Sequence, residues 1–258
     1  MKGRFVRALA FALIVATVVG MLGANSAAAD PGVGIEQVTT SPSFATSLLA
    51  GSPPTLGSPN ASVSIVEFGD YQCPTCGGWY QNQESAVIQN IVNTGKAKLI
   101  WRDFDYYGPD SVSASEAAYA AGDQGMFWQF HNLLFQSQQT PNSGWASRPN
   151  LDKLAQQLGL NMGQFNQDFN SRKYDPTINS NHALGVQAGV SETPTFFLVG
   201  PNYNIITIAG GQPEPVFEQA IAQLRSSPTP EYSNLTLIPI IAILIPLVII
   251  SSRYRRIK

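Results

Sequence analysis

Residues 70–77 read Asp-Tyr-Gln-Cys-Pro-Thr-Cys-Gly, DYQCPTCG, and they hold both cysteines of a 258-residue chain. A bridge between Cys73 and Cys76 closes almost no chain, and so short a loop restricts the unfolded state far less than a long-range disulfide does. Stability is therefore a poor reason for the pair. Zinc is no better. A structural zinc site takes about four ligands, and the only histidines, His131 and His182, lie far away in sequence. No metal and no cofactor are expected. Sulfur chemistry remains, with a purely structural bridge as the plainer alternative.

Outward from the pair, Val63-Ser-Ile-Val-Glu-Phe68 reads as a buried strand that ends at Gly69. Pro74 belongs at the first position of a helix, where no N–H partner is needed and φ is preset. The helix is expected over 74–93, with its stop at Gly95. Residues 97–104, AKLIWRDF, read as a second strand. From Ser111 to about Val190 the pattern is helical, in several segments. Thr195–Val199 and residues 204–208 then read as a strand pair, and 213–224 as a closing helix. Without the central helices the order is β-α-β-β-β-α. The expected fold class is α/β: a thioredoxin-like fold with a helical insertion at about 111–190, in a domain over 60–226.

The ends carry a different signal. Residues 1–29 place Lys2, Arg4 and Arg7 before an apolar run, and Ala27-Ala28-Ala29 offers small residues for a peptidase. This fits a secretory signal peptide, with an uncleaved anchor as the competing reading. Residues 30–59, rich in Gly, Ser, Thr and Pro, read as a flexible linker with a short helix near 44–50. A second linker covers 227–234. Residues 235–252 are almost wholly aliphatic and read as a transmembrane helix, short for a hydrocarbon core about 30 Å thick. The basic tail at 253–258, with Arg253, Arg255, Arg256 and Lys258, marks the cytoplasmic side. The body is thus expected outside the cytoplasm, held at the cell membrane by a C-terminal anchor. A formal charge of −2 and a charged fraction of 12% give no sign of a nucleic-acid partner.

A C-x-x-C at a strand–helix junction puts its first sulfur at a helix N-terminus, where unpaired N–H groups and the macrodipole favour an anion. Thiolate is the reactive form of cysteine. Cys73, the more exposed of the two by position, is expected to be the nucleophile. Cys76, one turn inside the helix that Pro74 and Thr75 begin, is the resolving sulfur. Glu67 lies six residues before Cys73. Buried near the sulfurs, it would relay a proton to or from Cys76; as an exposed strand-end carboxylate it would do nothing. Thr193-Pro194 directly precedes the strand FFLV, a place where a cis proline makes a tight turn. His131 and His182 fall in helical stretches and read as structural. Trp79 and Tyr80 fit either the rim of the site or the core.

EFGDYQCPTC, WRDF, FWQFHNLLF and GVSETPTFFLVG, in this order, resemble the DsbA-like family of thioredoxin-fold thiol–disulfide oxidoreductases, over about Leu56 to Leu224. The resemblance implies a buried acid at Glu67, a cis Pro194 packed against the active-site sulfurs, and a Thr193 that presents backbone to substrate. It implies cysteine-containing exported proteins as substrates and a membrane-embedded, quinone-linked partner that reoxidises the pair. One departure matters. The dipeptide is Pro-Thr rather than Pro-His, so the imidazole that helps stabilise the thiolate in the family's strongest oxidants is missing, and a milder oxidant is implied. The expectation is a membrane-anchored dithiol oxidase. A reductase or isomerase of the same fold, and a non-catalytic extracellular peptide-binding module, are the alternatives.

Overall fold

The computed structural model describes residues 42–226 together with the backbone of residues 35–38. Strand β1 (Ile35–Val38), helix α1 (Pro42–Leu49) and strand β2 (Thr55–Leu56) lead into β3 (Ser64–Gly69). A continuous helical run over residues 74–92, α2, connects β3 to β4 (Lys98–Asp103). Five helices follow: α3 (Pro109–Gly122), α4 (Phe127–Gln136), α5 (Arg148–Gln157), α6 (Met162–Asn170) and α7 (Asp175–Gln187). Strands β5 (Thr195–Val199) and β6 (Ile205–Ala209) and helix α8 (Glu214–Ser226) close the domain.

The described strands form one mixed sheet in the order β1-β6-β5-β3-β4-β2. Only β3 and β4 run parallel, with Glu67 opposite Trp101. A parallel pair needs a crossover connection, and α2 supplies it. All six residues of β3 are buried, as expected of a strand covered on both faces. On one face Val66 and Phe68 pack with Ala45, Leu48 and Phe197. On the other, Trp79 of α2 meets Phe196 at 4.7 Å and Phe217 of α8 at 6.0 Å between ring centres. Glu67 shares this second face, since side chains alternate along a strand. The β-α-β-β-β-α frame expected from the sequence is therefore the observed one, and α3–α7 are its insertion.

A buried polar network ties the insertion to β4. Asp103 accepts hydrogen bonds from the Trp101 indole (2.9 Å), the Tyr119 hydroxyl (2.7 Å) and the Asn181 amide (2.8 Å). Arg102 donates to Asn181 of α7, to the carbonyl of Leu48 in the last turn of α1 and to that of Ala50 just beyond it.

The short helix expected near 44–50 is observed as Pro42–Leu49, but the flexible-linker reading is corrected over the described residues 35–38 and 42–59. Pro42–Leu49 is a helix whose Ala45 and Leu48 are fully buried, and burying a leucine side chain is worth about 1.5–3 kcal/mol. Ile35–Val38 pairs antiparallel with β6, and Thr55–Leu56 with β4. Edge strands form through backbone bonds, so a stretch poor in apolar residues can still join a sheet. The folded unit thus begins before residue 60. The expected signal segment at 1–29, linker at 227–234, membrane span at 235–252 and basic tail at 253–258 lie outside the described residues. Among those described, no helix is long and apolar enough to cross a membrane.

Candidate active site

The turn that presents Cys73 is built by its own sequence. Asp70 accepts the backbone N–H of Gln72 through Oδ1 at 2.7 Å, and its carbonyl accepts the N–H of Cys73 at 3.0 Å. Such an aspartate turn is a local side-chain substitute for a backbone turn. Cys73 then caps α2 in an extended conformation, with Pro74 as the first helical residue and the Cys76 N–H aimed at the Cys73 sulfur at 3.5 Å. Gln138 clamps the turn from the end of α4, donating to the carbonyls of Tyr71 (2.7 Å) and Cys73 (2.9 Å). Gly77 leaves room for that clamp, because a Cβ there would lie 1.9 Å from Gln138 Oε1.

Both cysteines carry free thiols and are buried, Cys73 at 3% exposure and Cys76 at 1%. The expected contrast in exposure is therefore slight. What differs is the surroundings. Cys73 lines a cleft of 220 Å³ with Tyr106, Tyr107, Glu192 and Thr193, whereas Cys76 faces inward. The Cys76 thiol, the Thr193 side chain and the backbone N–H groups of Cys76 and Thr75 together hold the Cys73 pKa down to about 6, with burial opposing them. The Thr193 carbonyl, 3.2 Å away, accepts from the protonated thiol and so pulls the other way. At pH 7 about nine-tenths of Cys73 is thiolate. Burial first, then the neighbouring Cys73 sulfur and Glu67, push Cys76 well above the ordinary thiol range.

Behind the sulfurs lies a sealed group of titratable side chains. Glu67 is 2% exposed. Its pKa is pushed well above the carboxylate range, by burial first, then by Glu84 and Cys73. Glu84 is turned inward from a π-helical stretch of α2, Tyr80–Glu84, the kind of widened turn often found at functional sites. His131 of α4 spans from Glu84, 3.5 Å from Nε2, to the Tyr71 hydroxyl, 3.0 Å from Nδ1. Tyr71 in turn stacks on Trp101 at 4.9 Å. Trp101 reaches this floor because Gly69 has no Cβ, which would lie 2.4 Å from the indole.

At the rim, the Thr193–Pro194 peptide is cis. Asp70 also builds this side of the cleft: its Oδ2 accepts the backbone N–H groups of Tyr106 (2.7 Å) and Tyr107 (3.0 Å) and the Ser111 hydroxyl. Burial and the facing Cys73 sulfur raise the pKa of the Tyr107 phenol.

The structure thus brings Cys73, Cys76, Glu67 and Thr193 together, with Pro194 buried beside them and Pro74 and Thr75 exposed at the start of α2. The exposed-carboxylate reading of Glu67 is excluded. Trp79 belongs to the core, its indole donating to the Gln212 carbonyl at 2.9 Å. Tyr80 packs on Phe135 and accepts from Gln136. His182 stacks on Phe104. His131 is a core residue by packing, yet its link to Glu84 and Tyr71 was not legible in helical spacing. Gln138, Glu84 and the Tyr106–Tyr107 pair were also missed. Of these, two tyrosines directly after a sheet strand carried the only local signal.

The thioredoxin family model matches residues 50–210. A probable disulfide bond formation protein D of Bacillus anthracis is 27% identical over 150 residues, covering 56% of this chain and 69% of that protein. A Na(+)/H(+) antiporter NhaA 1 of Salinispora arenicola is 33% identical over 150 residues, but the match spans only 22% of the antiporter and 57% of this chain. Among solved structures, the thiol-disulfide exchange protein alpha-DsbA2 of Wolbachia pipientis superposes with a TM-score of 0.58 at 25% identity, over 70% of this chain and 92% of that one. The match to the family model and the strand–helix frame around Cys73 and Cys76 place the chain in the thioredoxin family, and within it these relatives make the chain similar to the DsbA-like thiol–disulfide oxidoreductases.

Proposed function

We propose that this chain is a membrane-anchored, extracytoplasmic thiol–disulfide oxidoreductase that works chiefly as a dithiol oxidase on exported, cysteine-containing proteins. One observation carries the reading: two thiols three residues apart are held at opposite acidities, Cys73 down to about 6 and Cys76 well above the ordinary range. The low-pKa sulfur is the better leaving group, and the high-pKa sulfur is the one that needs a proton.

In the oxidised enzyme a substrate thiolate attacks Cys73 Sγ. The Cys73–Cys76 bond breaks, a mixed disulfide forms, and Cys76 leaves with the electron pair. Glu67, kept protonated by its burial, gives Cys76 its proton. The second substrate thiolate then attacks the substrate sulfur of the mixed disulfide, forming the product disulfide and releasing Cys73 as thiolate. Two electrons have moved from substrate to enzyme. Reoxidation requires an electron acceptor, which we assign to a membrane-embedded, quinone-linked partner.

Ionisation of Cys73 at a pKa of about 6 favours the dithiol form about tenfold at pH 7. That is at most about 30 mV toward the oxidising side, less where solvent screens the sulfur. So small a push is in keeping with the milder oxidant that Pro-Thr between the cysteines implies. The signal at 1–29 and the span at 235–252 supply export and anchoring, and no cofactor is involved.

The test is Cys76→Ser in cells. It removes the resolving sulfur, so the Cys73 thiolate attacks a disulfide already formed in an exported substrate, expels one of its sulfurs as thiolate and stays joined to the other, and the adduct persists until a reductant dissolves it. An absence of adducts contradicts the enzyme reading. Thiol trapping of the native protein separates oxidase from reductase or isomerase, because an oxidase is found mainly oxidised. If the Cys73→Ser, Cys76→Ser double variant keeps full function, the chain is a binding module.

A further inference from the structure

The cleft beside Cys73 has walls of a definite chemistry. Tyr106 is the most exposed large apolar side chain among those described, at 73%, and it stands edge-on to Tyr107 with ring centres 5.7 Å apart. An aromatic side chain left so open needs a reason, and Asp70 provides the mechanism that keeps it there, through its bonds to both tyrosine N–H groups. Across the cleft stands Glu192, an exposed residue one position before Thr193. Its backbone is fixed, its carbonyl accepting from the Thr195 hydroxyl at 2.7 Å. Among the described residues no lysine or arginine lines this cleft, and none pairs with the Glu192 carboxylate.

We infer that this cleft receives a lysine or arginine side chain adjacent to the reacting cysteine of the substrate. A cation there meets the Tyr106 and Tyr107 ring faces and the Glu192 carboxylate at once. An acidic side chain meets only repulsion. The inference rests on the reading above that substrate docks at Cys73 and Thr193. It goes beyond that reading by naming the side chain that selects the substrate.

A basic neighbour also makes the substrate's own thiol more acidic and hence faster, so reaction rate alone does not isolate the pocket. The experiment therefore measures binding first. Short peptides carry serine in place of the cysteine, flanked by lysine, alanine or glutamate, and titrate the oxidised full-length protein. The lysine peptide is expected to bind about three- to tenfold more tightly than the alanine peptide, the glutamate peptide weakest. The preference shrinks as salt rises and collapses in Glu192→Gln. Equal affinity for the three peptides, or an unchanged preference in Glu192→Gln, overturns the inference. The same peptides with cysteine restored keep the two claims apart. A preserved binding order without any thiol oxidation supports this pocket and defeats the oxidoreductase reading instead.

Discussion

The rim and the floor of this site lie within a few residues of each other and treat ionisable groups in opposite ways. At the rim, Cys73 meets the Cys76 thiol first, then the Thr193 side chain and the N–H donors of a helix start, beside a cleft open to solvent, and its thiolate is favoured. On the floor, Cys76 and Glu67 meet burial and like charge, and both are pushed toward their neutral forms. The same side chain, three positions apart, thus takes two roles without any difference in covalent chemistry. In the proposed mechanism, position relative to the first turn of α2 decides which sulfur exchanges with substrate, and sealing of the floor decides where the proton waits.

The sharpest way to break this contrast is Glu67→Gln. The amide matches the carboxyl in size and cannot release a proton. Transfer to Cys76 should slow by about 10²-fold, at the lower end for general acid–base catalysis. Stopped-flow measurement of mixed-disulfide formation and release against pH reads this. A pH profile identical to that of the native enzyme removes Glu67 from the relay.

A smaller effect is expected from Gly77→Ala, which bears on the turn that keeps rim and floor apart. The new methyl displaces Gln138, whose amide holds the carbonyls of Tyr71 and Cys73. Two hydrogen bonds worth about 1 kcal/mol each are lost, offset by up to about 1 kcal/mol of helix propensity. A net loss near 1 kcal/mol follows, read from the denaturant midpoint. A more stable variant would show that Gln138 does not clamp the turn.

How far the sequence carries the account differs between the same two regions. Pro74 after Cys73, the strand before and the strand after are local patterns of period and turn chemistry, and the frame follows from them. The floor is not local. Glu84 and His131 are 47 positions apart, on two helices whose apolar spacing says only that each has an inner face. Their meeting depends on how α4 of the insertion packs against α2. Gln138 and Gly77 are invisible for the same reason. The described residues 35–38 and 42–56 fail differently: apart from the short helix near 44–50, their Gly, Ser and Pro content describes a loop, while backbone pairing with β6 and β4 and the burial of two α1 side chains make them part of the fold.

The central claim is that the Cys76 thiol, with the N–H groups at the start of α2, makes Cys73 a thiolate near neutral pH while Cys76 itself stays protonated. Alkylation of the reduced, full-length protein followed from pH 4 to pH 10, with Cys73 and Cys76 resolved by peptide mapping, tests it directly. The account predicts that Cys73 reactivity rises with a midpoint near 6 while Cys76 stays silent in that range. A Cys73 midpoint near 9.0, that of an unperturbed thiol, would contradict it.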